Sequence, residues 1–420
     1  MRGFITFFSL LVFQVYSFAA VFAPSAQEVT VSFVGEFITD SQNDTDESIA
    51  SHYQHLFGYF HSPTVVGSFQ LDPNLVEGIG GPKMPMSVKL MKEEDVGSGK
   101  KLIQYKVKGQ LLLHKAAAKV LVKQQKWQMT LPYDLDNFYD EKCTDEHYNS
   151  FGDFWYFYDP FRKGCGQLRK APLARPTVVE FLPLRESTKD YSAMLNQIRG
   201  DNGNGDLFQI VTINGFAEDT AGPQDDGRVA FEEVNEFLKA EGFKETILAK
   251  YKNRPVHRYE KTVTAQNGQE IKIQVTRLLA DTSITSQDVT FAKFFKNAVQ
   301  NADVLIYAGH SGLGGNLDIP SLEEKVGEIQ FNQTKKQIFF FDGCSSYSYY
   351  LKSFADQKKR SNVDIMTNGL SSLFVTEFEV HSTFLNILFQ VDTNPTWSEI
   401  LTKIESSLDG ATYLLNVGAL

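Results

Sequence analysis

The stretch from Asn301 to Leu351 constrains this chain more than any other. It holds two runs of apolar, β-branched and aromatic residues, Val304 to Ala308 and Ile338 to Phe341. Such runs read as strands buried on both faces. Each stops at a small-residue turn with one reactive side chain: NADVLIYAGHSGLGG reaches His310 and TKKQIFFFDGCSSYSYYL reaches Cys344. The connection between them is too long for a tight hairpin, so the strands are expected to be parallel neighbours with their carboxyl ends on one edge. Open α/β sheets bind ligands at that edge. A thiol facing an imidazole there is a nucleophile beside a proton carrier.

The first residues, MRGFITFFSLLVFQVYSFAAVFAPSAQ, carry one Arg, then an apolar core from Phe4 to Phe13, then small residues up to Ala26. This is the pattern of a secretory signal cut between Ala19 and Ala26, with an uncleaved anchor as the alternative, and residues 1–26 are set apart from the fold. No later stretch is long and apolar enough to span a bilayer, so the expected product is secreted or periplasmic, without an integral membrane segment. Asp and Glu number 51 against 41 Lys and Arg, a formal net charge of -10, and a surface of that sign repels phosphate backbones. Nucleic acid is therefore excluded as a partner. The chain has 3 Cys, an odd number for an exported protein. Cys143 and Cys165 close a short loop and are expected to form a disulfide, which leaves Cys344 as a thiol available for chemistry or, alternatively, as a small buried hydrophobe.

Residues 27–185 read as a β-rich α+β domain. VTVSFVGEF, KLIQYKVKGQLLL and KWQMTLPY are strand-like, with one helical piece from about Asp46 to Phe60. His52, His55 and His61 lie close in sequence, but no Cys or acidic ligand at matching spacing accompanies them, and no metal is assigned. The segment YDLDNFYDEKCTDEHYNSFGDFWYFYDPFRKGC reads as a disulfide-closed surface loop. Residues 186–206 form a linker with an exposed tip at RGDNGNGD, where a maturation cut after Arg199 is a hypothesis. Residues 207–420 alternate strand and helix: strand Leu207–Ile213, helix Arg228–Glu241, a hairpin of Val256–Thr264 with Ile271–Leu279, helix Ser286–Val299, the two central strands, helix Ser345–Lys358, strand Val363–Thr367, and helices near Ser371–Phe389 and Thr396–Leu408. That order implies an α/β domain with a mainly parallel sheet and helices on both faces.

A strand ending in Gly-His-Ser-Gly and a following strand ending in Asp-Gly-Cys-Ser resemble the caspase-like fold of cysteine peptidases, the clan of caspases, metacaspases, legumains, gingipains and clostripain. The resemblance spans Leu207 to the C-terminus. It implies an endopeptidase acting on protein or peptide substrates, with Cys344 as nucleophile and His310 as proton carrier. It also implies an oxyanion hole made by the backbone N–H groups of Cys344 and of Ser311, the latter standing where the clan has Gly. In the metacaspase-like branch an Asp two residues before the Cys and an acid after the first strand line a pocket for a basic side chain. Here Asp342 holds the first position, and NGFAEDTAGPQDDGR offers Glu218, Asp219, Asp225 and Asp226 for the second. Cleavage after Arg or Lys is the expectation, with the N-terminal domain serving in docking or inhibition.

The dyad requires no cofactor, but DDGRVAFEEV imitates the second half of a calcium loop through Asp226, Gly227 and Glu233, and calcium stays a candidate ligand. Two other readings are open. GHSGLGG imitates an esterase elbow with Ser311 as nucleophile and Asp364 and His381 following in order, although Leu313 stands where that elbow needs Gly. A caspase-like domain kept only as a binding scaffold would also carry these residues.

Overall fold

The computed structural model describes residues 20–145, 148–183, 190–199, 206–218, 222–251, 254–287 and 289–418. The apolar segment 1–19, the linker residues 184–189, the tip 200–205 and Asp219 lie outside the described residues. The strands are β1 (Val21–Phe22), β2 (Ala26–Asp40), β3 (Gly80–Pro82), β4 (Ser87–Gly97), β5 (Lys100–His114), β6 (Lys126–Pro132), β7 (Ala174–Pro183), β8 (Leu207–Gly215), β9 (Lys244–Tyr251), β10 (Arg254–Thr264), β11 (Glu270–Ala280), β12 (Val304–Ala308), β13 (Gln337–Asp342), β14 (Val363–Asn368) and β15 (Leu415–Gly418).

They form two sheets, one of 9 strands in the order β1-β15-β14-β13-β12-β8-β11-β10-β9 and one of 6 strands in which β4 and β3 both pair with β5. The centre of the large sheet, from β14 through β13, β12 and β8 to β11, is parallel. Both flanks are antiparallel, so the sheet is mixed rather than mainly parallel. The physical reason is burial. VLIYA, QIFFFD and VDIMTN are buried at every position and need helices on both faces, whereas β9 and β10 reach the flank as an antiparallel ribbon joined to β11 at Asn267-Gly268. The helices Asp226–Ala240, Glu377–Phe389 and Trp397–Ser406 pack together on one face. Val289–Asn301, Ile319–Val326 and Ser346–Gln357 cover the other, where Phe295, Phe339 and Phe341 meet Phe354 edge-on or tilted.

The N-terminal half is built around β2 and β5, which pair along their full length from Ala26 opposite His114 to Asp40 opposite Lys100. The expected helix from Asp46 to Phe60 is broken into Thr45–Gln54, Leu56–His61 and Pro63–Ser68. His52, His55 and His61 are buried and face separate partners: Tyr105 and the Pro132 carbonyl, the Ser51 carbonyl, and the Tyr156 carbonyl. Among the described residues no group of three or more His, Cys, Asp or Glu is placed to hold a metal ion. Asp226, Gly227 and Glu233 lie in the first turns of the Asp226–Ala240 helix and do not form a loop.

Three boundaries differ from the sequence expectation. Residues 21–26 belong to the fold: Val21 and Phe22 pair with Val417 and Asn416, Ala23 donates to the Leu415 carbonyl, and Ser25 donates to Glu405. Linker residues are partly core, since Leu195 and Ile198 are buried and the Arg199 guanidinium donates to the carbonyls of Leu388, Ile387 and Thr393. An Arg held this way does not present its side chain to a protease. The third is the segment closed by the disulfide, which joins Cys143 to Cys165 as expected. It is not a surface loop: Phe154, Trp155, Tyr156 and Tyr158 are buried, and Trp155 and Tyr156 pack with Phe57, Leu313 and Tyr349 between the two halves. No helix among the described residues is long and apolar enough to cross a membrane.

A chain beginning at Ala20 is expected to be more stable than one beginning at Gln27 by about 2–4 kcal/mol, the worth of burying Val21 and Ala23 together with the lost strand pairing; urea midpoints of the two forms test this. Burial also lowers the imidazoles of His52, His55 and His61, to about 3, 4 and 4. Their stabilising contribution is therefore complete above about 6.5 and is lost as the pH falls through about 4. In a ring-carbon NMR titration, three imidazoles should show no protonation between pH 7.5 and about 5.

Candidate active site

β12 and β13 pair in parallel with Ala308 opposite Asp342, so the residues that follow both strands emerge on one edge. Gly309 makes the first turn with φ 148, where a Cβ would also meet the Gly215 backbone at 3.2 Å. The turn is pinned from below, because Tyr307 Oη and Asn316 Nδ2 both donate to the His310 carbonyl, at 2.6 and 2.8 Å. The His310 ring is exposed; its Nε2 lies 2.9 Å from the carbonyl of Ala217 after β8, and its face meets the edge of Phe374 at 5.1 Å. A carbonyl only accepts, so Nε2 carries the proton and Nδ1 is the basic nitrogen of the neutral ring.

After β13 the chain turns at Gly343, where a Cβ would meet the Gly309 carbonyl at 2.8 Å. Cys344 follows, half-buried, and Ser345 takes φ 49 before the Ser346–Gln357 helix begins. Ser345 is fixed by its N–H on the Leu370 carbonyl and by its hydroxyl, 2.8 Å from Tyr156 Oη. His310 and Cys344 thus line one narrow cleft with Gly309, Asp342, Ser372, Leu373, Phe374 and Glu377. Ser311, in the position where the clan has Gly, is right-handed at φ -80 and tolerates its Cβ. The backbone turns left-handed at Gly312, at φ 55, where a Cβ would run into Asn316 Oδ1, and stays so through Leu313 and Gly314. Among the described residues neither the Ser311 nor the Cys344 backbone N–H has an acceptor.

The floor of the cleft is a chain of buried polar groups. Asp342 accepts from Asn368 Nδ2 at 2.7 Å and meets His381 Nε2 at 3.1 Å. The other nitrogen of His381 lies 3.7 Å from Glu377, which accepts from Asn214 Nδ2. Asn214 in turn accepts from Arg277, whose guanidinium also donates to Thr212, Asn235 and the Phe231 carbonyl. Burial pushes the Glu377 carboxyl up to about 7, with His381 and Arg277 working the other way.

Of the acids expected from the loop after β8, Asp219 lies outside the described residues and the described ones do not line this cleft. Glu218 is exposed and is not among the lining residues. Asp225 accepts from the backbone N–H groups of Glu218 and Arg228 and caps the Asp226–Ala240 helix. The second carboxylate is Glu377, which the sequence reading passed over inside an apolar helix. Its signal was Glu and His four residues apart in EFEVHSTFLNILF, which share one helix face. The esterase relay is not assembled either. Asp364 accepts from Trp397 Nε1 at 2.8 Å and from Tyr191, and His381 sits between Asp342 and Glu377, away from Ser311.

Groups of the N-terminal half lie near the cysteine without lining the cleft. Tyr148, Tyr156 and Glu77 lie close enough to Cys344 to interact with it electrostatically. The thiol is pushed up to about 11, by burial first and then by the charge of Glu77. At neutral pH it is protonated, so any attack by sulfur requires removal of that proton as the substrate binds.

Comparison with protein-family models and with curated proteins returns no match. Because Glu377 titrates near 7 when folded and near 4.5 when unfolded, the folded state binds the extra proton between those values and loses stability as the pH rises across them. Glu377→Gln should remove that loss, so that wild type falls relative to the variant by about 3 kcal/mol from pH 4.5 to 8, read from denaturant midpoints at both pH values.

Proposed function

We propose that this chain is a caspase-like cysteine endopeptidase that acts outside the cytoplasm and cleaves after Arg or Lys. The observation that carries the reading is the placing of His310 and Cys344 beyond adjacent parallel strands, in one cleft, near the backbone N–H groups of Ser311 and Cys344, which have no acceptor among the described residues. Cys344 sulfur would form a bond to the scissile carbonyl carbon while Nδ1 of His310 takes the thiol proton and returns it to the leaving amine. The N–H groups of Cys344 and Ser311 would hold the developing oxyanion. Asp342 and Glu377 on the cleft wall favour a cationic side chain through charge-assisted hydrogen bonds. The Cys143–Cys165 disulfide fits an oxidising compartment.

One observation favours a second reading, a binding scaffold without turnover: the thiol is held protonated, by burial first and then by the charge of Glu77. A fluorogenic peptide panel separates the two. Under the peptidase reading Arg and Lys peptides are cleaved faster than Asp peptides, Cys344→Ala lowers kcat/KM by roughly a thousand-fold or more and abolishes labelling by a thiol-directed reagent, and Ser311→Ala stays within about tenfold of wild type. Cleavage that persists in Cys344→Ala sinks the peptidase reading, and a folded wild type inert on every peptide leaves the scaffold.

A further inference from the structure

Along the Ser346–Gln357 helix, sharing no residue with the cleft, lies a groove of about 560 Å³ between the two halves of the protein. Its size suits a small molecule. Four cationic side chains line it from three directions: Lys83 from the turn after β3, Lys108 from β5, and Lys352 and Arg360 from the helix and the turn beyond it. Two acids among the described residues offset them. Glu28 lies 4.0 Å from Lys83, and Asp356 pairs with Lys352 and, at 3.2 Å, with Arg360. The balance is positive, in a chain whose net charge is -10. The cations converge on one another: the Lys83 ammonium, 5.6 Å from the Tyr347 ring centre, is held below the usual lysine range by burial first, and Arg360 and Lys352 add to that lowering while Glu28 opposes it. An anion seated among them relieves both the desolvation and the like-charge repulsion.

We propose that this groove binds a compact polyanion of the phosphoryl class. A guanidinium fork and separate ammonium groups approaching from several sides suit oxygens spread around tetrahedral phosphorus better than one planar carboxylate. The site also straddles the joint between the halves, where Met84 N–H donates to the Ser348 carbonyl and the Ser348 hydroxyl donates to the Pro82 carbonyl. A ligand there fastens the helix that follows Cys344 to the small sheet, and binding is read without reference to peptide cleavage.

The test is calorimetric titration of the full chain with inorganic tripolyphosphate at low ionic strength, alongside thermal melting. The expected result is saturable binding at one equivalent, a raised Tm, and affinity that falls steeply with added salt. The double variant Lys108→Glu/Lys352→Glu, in which both side chains are exposed, should weaken binding at least tenfold. The exposed pair Lys119→Glu/Lys123→Glu on another helix should leave it unchanged. If the first variant melts abnormally, Lys108→Gln/Lys352→Gln replaces it, with the same direction expected. Absence of saturable heat, equal loss in the control pair, tighter binding of an oligoglutamate peptide than of tripolyphosphate, or retention only on vesicles of anionic lipid would each overturn the proposal.

Discussion

A charge that cannot reach water must be matched where it stands, and Arg277 sets that condition for the large sheet. It is fully buried on β11 beneath the edge where the strands end. Its hydrogen bonds tie β8 through Thr212 and Asn214 and the Asp226–Ala240 helix through Asn235 and the Phe231 carbonyl. Through Asn214 the chain of contacts continues to Glu377, His381 and Asp342, and so to the strand that carries Cys344. Removing one member of such a buried series leaves the others without partners, a much larger loss than a surface ion pair represents. The carboxylates that shape the cleft are thus also part of the scaffold.

The N-terminal half is bound to the same edge by different means. Its disulfide-closed segment sets Tyr156 on the Ser345 hydroxyl next to the cysteine, Tyr347 donates to Glu28, and Phe57 stacks with Tyr349 at 6.1 Å. Most of this joint is aromatic surface with a few hydroxyl contacts, which suits a fixed packing arrangement better than a mobile docking module. The cysteine consequently has an environment made by both halves.

How much of this could be read from the residues depended on how local each cause was. β12 and β13 were legible because a strand buried on both faces must be apolar at each position, and their shared edge followed from the length of the connection. The Cys143–Cys165 pair followed from spacing and compartment. Glu377 was hidden because its partners, Asn214 and Arg277, are remote in sequence and only the fold makes the group intelligible. Asp225 misled for the opposite reason, since the local helix cap uses its carboxylate, while Glu218 is left exposed. The antiparallel flanks and the pairing of β1 with β15 likewise depend on contacts between distant segments, which periodicity does not encode.

That last pairing has a bearing on synthesis. The first described strand can find its place only beside β15, so the border of the large sheet stays unzipped until residues 415–418 have been made. Until then β14 exposes a row of unmatched amides and carbonyls to any passing chain. Late closure of this kind leaves that border open to mispairing for the interval between the emergence of β14 and that of β15.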